Sequence, residues 1–332
     1  MKNLSFAFVL LALFSCRQDS ESENTDNNKN IKNNVEQPKM NTISYIDRTS
    51  QETRTENVPS EGLLKWLYSS STGKAALHIL FKRKLVSQLG GWYMDTRLSA
   101  KRIKKFVHEH NINLDECQIS DASQFKTFNH FFARKLKKDA RQIGENIVSP
   151  ADGKILVFQS LNDVPNFFIK GSEFTLSSFL QNEELAKKYE GGAMAIIRLA
   201  PADYHRFHFP ASGNVSASVP IKGYYFSVSP LALQGSLKIF CENYREYCTL
   251  KTQEYGDLLI SDVGATMVGS IIQTYRGNSE ITKGEEKGYF AFGGSTLVIL
   301  FEKGKIIFDK DLISNTKNGL ETTVRMGENI AS

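Results

Sequence analysis

The second half of the chain consists of short apolar runs separated by Gly, Pro and Asn residues. Eight such runs follow residue 147, at 154–158, 193–199, 213–219, 237–240, 257–263, 266–275, 296–301 and 305–308. Runs of this length between turn residues are typical of β-strands. Helical patterns interrupt them at 176–189 and 230–234. We therefore predict an α+β protein whose β-rich core occupies residues 141–332.

The segment before this core is helical in pattern and strongly basic. Apolar residues recur at helical spacing over 62–90 and over 99–111, where Ser99 is a candidate N-cap. Between Lys65 and Lys105 there are ten Lys and Arg residues and one acid, with Trp and Tyr among them. Such a surface suits a helical region that associates with an anionic membrane, which we assign to 61–140. An amphipathic helix that packs on its own protein is the alternative.

The first residues have the features of an export signal. Lys2 precedes an apolar run at 4–14 that is too short to span a bilayer comfortably. Residues 13–16, Leu-Phe-Ser-Cys, resemble a bacterial lipobox, so residues 1–16 predict a signal peptide and acylation of Cys16. The alternative is an ordinary signal peptide with a chance Cys. Residues 17–60 are polar and predict a disordered tether, since they have too few apolar residues to form a core.

The remaining composition excludes several classes of function. A formal charge of +5 is too small to indicate a nucleic-acid partner, and no glycine-rich nucleotide motif is present. Cys117, Cys241 and Cys248 have no metal-ligand spacing, so we predict structural cysteines and no metal site. Export would permit a disulfide, for which Cys241 and Cys248 are the nearest pair.

One short motif carries chemical information. Gly293 and Gly294 precede Ser295, and an apolar run comes directly after it. Two glycines leave the backbone sterically open, and a buried strand holds the residues after the serine rigidly. This is the local geometry that a serine hydroxyl needs to attack the carbonyl of the residue before it. A plain Gly-Gly-Ser turn before a strand explains the same residues.

Further segments accompany this motif, and together they resemble the phosphatidylserine decarboxylase family. The main ones are SPADGK at 149–154, DYHRFHFP at 203–210 and GGST at 293–296. The connecting ones are FNHFFAR at 128–134, VGATMVGS at 263–270 and KGEEKGYF at 283–290. The resemblance extends from about residue 62 to residue 301. Members of this family are pyruvoyl-dependent proenzymes that make phosphatidylethanolamine.

The resemblance implies that the chain makes its own cofactor. Ser295 Oγ would attack the Gly294 carbonyl and convert the peptide bond into an ester. Elimination and hydrolysis would then leave a pyruvoyl group in place of Ser295, with loss of ammonia. The products would be a β chain that ends at Gly294 and an α chain that begins at residue 295. A ketone of this kind accepts the electrons left when CO₂ departs, which no ordinary side chain can do.

The resemblance also assigns roles to three polar residues. His208 would be the base that activates Ser295, and Asp152 the carboxylate that orients that base. His205 would be the acid that returns a proton after CO₂ leaves, because histidine titrates near neutral pH. Without the resemblance, His208 between two Phe residues fits a buried structural histidine. Arg206 fits either an anion site or an ion pair.

The sequence thus predicts a phosphatidylserine decarboxylase that is tethered to a membrane as an extracytoplasmic bacterial lipoprotein. Its partners would be phosphatidylserine in an anionic membrane and its own two chains, with a homo-oligomer left open. A pyruvoyl-dependent decarboxylase of a soluble amino acid is the second interpretation, because the family's lipid-synthesising members are not usually exported lipoproteins. A non-cleaving lipoprotein that uses its core as a binding module is the third.

Overall fold

The computed structural model describes residues 44–56, 90–163, 174–224, 238–265, 271–293 and 295–332. Several predictions from sequence therefore lie outside the described residues. They are the signal peptide and Cys16, most of the tether, nearly all of the first basic helical segment at 62–90, the helical pattern at 230–234, and Gly294.

The described residues form an α+β protein dominated by strands. The strands are β1 (Ser44–Ile46), β2 (Thr53–Thr55), β3 (Ile147–Val148), β4 (Gly153–Phe158), β5 (Ala193–Leu199), β6 (Arg206–His208), β7 (Gly213–Val215), β8 (Val219–Ile221), β9 (Arg245–Lys251), β10 (Asp257–Gly264), β11 (Ile271–Gln273), β12 (Ser279–Ile281), β13 (Glu286–Phe290), β14 (Ser295–Phe301), β15 (Glu321–Val324) and β16 (Asn329–Ala331). The α-helices are α1 (Ile103–Glu109), α2 (Phe128–Phe132), α3 (Leu176–Leu180), α4 (Glu183–Lys188), α5 (Lys238–Glu242) and α6 (Lys310–Lys317).

Most strands belong to one eleven-stranded sheet with β14 near its centre. The order is β12-β7-β9-β10-β14-β5-β4-β15-β1-β2, and β8 pairs with β9. Strand β14 is antiparallel to both neighbours, with Ser295 opposite Gly264 on one side and Leu199 on the other. A second sheet has the order β11-β13-β6. The segment that begins at Ser295 is therefore hydrogen-bonded on both edges.

The central strands are buried on both faces, which explains their continuous apolar sequences. One face of β10 and β14 contributes Ile260, Leu297 and Ile299 to a large core cluster. The opposite face contributes Leu259 and Val298 to a second cluster, which lies under α3 and α4. Because alternate residues of a strand share a face, Ser295 projects on the side of Leu297 and Ile299.

The residues before the core form a small aromatic cluster. Buried Phe128, Phe131 and Phe132 of α2 pack there with Ile103 of α1 and with other apolar residues of 94–125. Phe292, which lies just before the Gly-Gly motif, packs against this cluster. The prediction that Ser99 caps a helix is wrong. Ser99 lies inside a 3₁₀ helix (Arg97–Arg102), where its buried Oγ accepts a hydrogen bond from the Phe128 amide.

Other helices also differ from the sequence pattern. Residues 238–240 of the run at 237–240, predicted to be a strand, belong to helix α5. The helical pattern at 176–189 is two helices, because Gln181 adopts φ +48° and Asn182 caps the second one. Helix α6 was not predicted. It packs on β4, where Thr316 Oγ1 accepts a hydrogen bond from the Val157 amide.

An N-terminal hairpin of β1 and β2 is fastened to the end of the chain. Strand β1 pairs in parallel with β15, and Arg48 forms ion pairs with Asp309 and Asp311. Buried Arg198 of β5 pairs with Glu56 and Glu321. Cys117, Cys241 and Cys248 form no disulfide with one another, so the Cys241–Cys248 pair allowed by the sequence is not formed. Within the described ranges, no helix is long and apolar enough to cross a bilayer.

Candidate active site

Ser295 is a buried residue with an unsatisfied hydroxyl. It is the first residue of β14 and has no exposed surface. Its Oγ makes no hydrogen bond in the structure. Leaving a buried hydroxyl without a partner is unfavourable by about 1–3 kcal/mol, so such groups are rare unless they have a function. The hydroxyls of Thr296 and Tyr189 are also buried and unpartnered, so Ser295 stands out as a candidate reacting group because it also follows the two glycines directly.

The residues just before Ser295 have an unusual backbone conformation and pack against the aromatic cluster. Gly293 has φ +148°, a backbone conformation that residues with a side chain rarely adopt. The amide of Phe292 donates a 2.8 Å hydrogen bond to Asn129 Oδ1 of α2. The Phe292 ring packs edge-on against Phe128 and Phe132, with ring centroids 5.0 Å apart in both pairs. Helix α2 thus positions the segment that leads to Ser295.

The loop at 200–205 connects Ser295 to the two histidines. It leaves β5 at Leu199, which lies opposite Ser295. Within it, the Asp203 carboxylate accepts a 2.7 Å hydrogen bond from the Ala200 amide. The loop ends where β6 begins, and β6 pairs with β13, the strand that leads to Gly293. Both histidines are thus attached to elements that adjoin the Gly-Gly-Ser motif.

His205 is completely buried and presents one free ring nitrogen. Its Nδ1 lies 2.9 Å from the Asp203 carbonyl oxygen, and since a carbonyl only accepts, Nδ1 carries the proton. Its Nε2 has no partner. Burial lowers the pKa of His205 to about 3, and the positive charge of Arg134 contributes in the same direction. The ring stacks on Phe132 with centroids 3.8 Å apart. His205 is therefore neutral at physiological pH in this structure.

His208 is also buried but has partners at both ring nitrogens. Nδ1 donates to the Gly284 carbonyl oxygen at 2.9 Å, and Nε2 accepts from the Tyr204 hydroxyl at 3.1 Å. Burial lowers the pKa of His208, while the Glu286 and Asp152 carboxylates oppose that shift. His208 is therefore a neutral imidazole whose basic lone pair is covered by Tyr204.

Asp152 lies at the start of β4, beside the His208 backbone. Its Oδ1 accepts from the Met326 amide at 2.8 Å, and its Oδ2 accepts from Arg141 at 2.9 Å. The His208 amide donates to the Pro150 carbonyl oxygen, which joins the two motifs directly. The structure thus brings Asp152 close enough to influence His208 electrostatically. It does not place the carboxylate on either ring nitrogen of His208.

Two other buried arginines, Arg206 and Arg245, have structural partners. Arg206 is buried and forms a 2.8 Å ion pair with the partly exposed Glu286, which agrees with the ion-pair alternative. Arg245, also buried, donates to four backbone carbonyl oxygens around α3 and α5. Across the described ranges, no group of three or more His, Cys, Asp or Glu residues is arranged to hold a metal.

Comparison with known proteins decides the family. The sequence profile of the family described as phosphatidylserine decarboxylase matches residues 128–332. A protein of Fusobacterium nucleatum named phosphatidylserine decarboxylase proenzyme is 53% identical over 289 residues, covering 86% of this chain and 96% of that protein. The chain belongs to the phosphatidylserine decarboxylase family.

Other members of the family are nearly as similar over the same extent. A phosphatidylserine decarboxylase proenzyme of Clostridium novyi is 47% identical and covers 87% of this chain and 99% of its own length. One of Ruminiclostridium cellulolyticum is 44% identical over 293 residues. A solved structure of glucose permease IIA from Mycoplasma capricolum aligns at 15% identity with a TM-score of 0.29, which is too weak to bear on fold or function.

The sequence did not predict which residues hold Asp152, His205, His208 and the Ser295 segment in place. Tyr204 and Gly284 hold His208, Arg141 and Met326 hold Asp152, and Asn129 and Phe132 hold the Ser295 segment and His205. Tyr204 lies in the same segment as its partner His208, whereas Asn129 is 163 residues away from its partner Phe292. Only the fold reveals these contacts.

Proposed function

We infer that this chain is a phosphatidylserine decarboxylase that converts phosphatidylserine into phosphatidylethanolamine and CO₂. The chain is the proenzyme, and Ser295 is the residue from which its pyruvoyl group forms. The observation that carries this inference is the buried Ser295 hydroxyl, which has no partner and follows an open glycine backbone. Membership of the family and 53% identity to a named proenzyme support it independently.

The residues around position 295 suit a small covalent carbonyl group. Ser295 is enclosed by the sheet, so water is restricted around a group formed there. When present, that group would withdraw electrons from the carbon that loses CO₂. His205 Nε2 is buried and unpartnered on the adjoining loop, so it is available to hold or move a proton near that carbon.

His208 and Asp152 are proposed to serve the cleavage step. His208 would accept the Ser295 proton at Nε2, which is the ring nitrogen that carries the lone pair. The Tyr204 hydroxyl occupies that nitrogen in the intact chain, so it must either move or pass the proton on. Asp152 would stabilise the imidazolium that results, and its negative charge already favours protonation of His208.

The two chains are expected to stay together after cleavage. The proposed α chain from 295 contains β14, which is paired on both edges with strands of the β chain. It also contains β15, which pairs with β4 and β1. Breaking one peptide bond leaves all of these hydrogen bonds and the apolar contacts of β14 in place.

The purified protein should consist of two fragments that separate only on denaturation. Intact-mass measurement is expected to find a boundary between residues 294 and 295. The smaller fragment should be lighter than a serine-terminated one by the mass of ammonia and blocked to sequencing from its N-terminus. Size exclusion without denaturant should show both fragments in one particle. A single uncleaved chain would contradict the proposed function and favour the binding-module alternative.

A membrane-facing surface is proposed on the helical part of the chain. Trp92 is 70% exposed and Leu98 63% exposed, which is unusual for large apolar side chains. Arg97, Lys101, Lys104 and Lys105 are exposed close by in sequence. Exposed aromatic and apolar residues among cations suit insertion at the headgroup level of an anionic bilayer. A lipid anchor at Cys16 would add a second attachment, and its support is the sequence alone.

Replacing Trp92 and Leu98 together by Ser should weaken binding to phosphatidylserine-containing vesicles by about 10-fold or more, because two apolar side chains no longer enter the bilayer. Vesicle cosedimentation measures this effect. Ile307→Ser is the matched control, since Ile307 is 67% exposed but lies in the β-rich part of the chain and outside the helical region. Equal binding by the unaltered protein, the double variant and Ile307→Ser would contradict the proposed membrane-facing surface and strengthen the soluble-substrate alternative.

A further inference from the structure

Arg134 is a buried cation that the fold satisfies only in part. It follows α2 and is 6% exposed. Its Nη2 donates a 2.9 Å hydrogen bond to the Ala202 carbonyl oxygen, and its guanidinium lies over the Phe131 ring. Its Nη1 is buried without a hydrogen-bond partner. Burial lowers the pKa of Arg134, while the Cys117 thiol and the Asp152 and Asp203 carboxylates oppose that shift.

Arg134 lines a polar cavity of about 380 Å³ that Asp152, Asp203 and Tyr204 also line. The other buried or half-buried cations that line this cavity form ion pairs. Arg48 pairs with Asp309 and Asp311, Arg141 with Glu116 and Asp152, and Lys154 with Glu56. The Asp203 carboxylate binds the Ala200 amide, and Asp152 binds Arg141. Buried charges are normally paired, whereas among the described residues of this lining the structure shows no ion pair for Arg134, on whose charge the Asp152 and Asp203 carboxylates act from farther away.

The position of Arg134 relates it to the reacting residue. The carbonyl that it binds, at Ala202, lies three residues after Leu199, which is directly opposite Ser295. Paired residues of neighbouring strands lie about 5 Å apart, and three residues of chain span at most about 10 Å. The charge of Arg134 also acts on the His205 ring. These limits keep the Ala202 carbonyl, to which Arg134 is bonded, within about 15 Å of Ser295.

We propose that Arg134 binds the phosphodiester group of the substrate headgroup, with its unpartnered Nη1 and the cavity providing the site. This proposal rests on the proposed function and identifies how the same site recognises a phospholipid. A guanidinium matches phosphate oxygens in shape and charge. The substrate carboxylate is a poorer occupant, because stabilising its charge before CO₂ leaves would hinder the reaction.

The test measures binding by calorimetry to the cleaved protein, with two soluble probes. Glycerophosphoethanolamine carries the phosphodiester but no carboxylate, and L-serine carries the carboxylate but no phosphate. Arg134→Gln should weaken glycerophosphoethanolamine binding by about 10- to 100-fold, as for loss of a charged hydrogen bond. Arg134→Lys should show a smaller loss, and L-serine binding should not change. Arg325→Gln is the matched control, because Arg325 lines the same cavity but is largely exposed.

Cleavage is scored first on a denaturing gel, so that the two proposals can fail separately. If the unaltered protein does not cleave, the proposed function fails. If the variants cleave and bind glycerophosphoethanolamine normally, only the Arg134 assignment fails. Weaker binding of L-serine alone would assign Arg134 to the carboxylate and overturn the proposal. Failure of Arg134→Lys to cleave would overturn it too, since the charge is retained and the residue would then serve the fold.

Discussion

A Ser295→Ala chain is expected to remain one uncleaved polypeptide without decarboxylase activity. The substitution removes the oxygen that attacks the Gly294 carbonyl, so no ketone forms and the reaction loses its electron sink. The loss should reach the limit of detection, on the order of 10⁶-fold or more, because the whole catalytic advantage depends on that group. A denaturing gel and an assay of CO₂ release from phosphatidylserine measure both effects.

The fold should survive this substitution, which separates chemistry from stability. Ser295 Oγ makes no hydrogen bond, so Ala leaves no partner unsatisfied, and the free energy of unfolding should stay equal or rise by about 1 kcal/mol. Thr296→Val is a matched control, since Thr296 Oγ1 is also buried and unpartnered but projects to the opposite face. Thr296→Val should cleave. Cleavage of Ser295→Ala at the same bond would refute the assignment of the nucleophile.

The strands of the core were predicted best where both faces are buried. The run at 193–199 coincides with β5, and the runs at 154–158, 257–263 and 296–301 differ from β4, β10 and β14 by one residue at one end. Continuous apolar sequence identifies such strands without any tertiary information. The strand predicted at 237–240 was wrong because the same signal is ambiguous: a short apolar segment fits a buried helix equally well. Helix α6 escaped prediction because only a narrow stripe, including Leu312 and Thr316, is buried.

The residues of the candidate site could be named from the sequence, but their contacts with one another and with the rest of the fold could not. Local motifs pointed to Ser295, His205, His208 and Asp152, and the fold brings their segments together. Tyr204 and Asp203 lie in the same segment as the two histidines, but the other partners come from other segments, and those contacts depend on tertiary structure. Arg141 engages Asp152, and Gly284 engages His208 from 76 residues away. The near-neutral titration expected of His205 likewise fails, because burial controls its pKa.

The burial of His205 changes how its proposed role must work. A residue with a pKa of about 3 is neutral at pH 7 and cannot donate a proton from Nε2. Two sources keep the pKa low, which are burial and the positive charge of Arg134. A phosphate bound at Arg134 would oppose the second source, and negative charge that develops at the reacting carbon would favour a protonated ring. We therefore expect His205 to become an acid only in the substrate complex.

Replacing His205 by Asn should leave cleavage intact and lower the rate of decarboxylation by about 10²- to 10⁴-fold, the usual contribution of a general acid. Asn retains a polar group against Phe132 and creates less of a void than Ala. The paired variant His208→Asn should instead remain uncleaved, because the proposed base for Ser295 is lost. A gel reports cleavage, and kcat for the cleaved fraction reports the acid role. If His205→Asn failed to cleave while His208→Asn cleaved normally, the roles of the two histidines would be reversed.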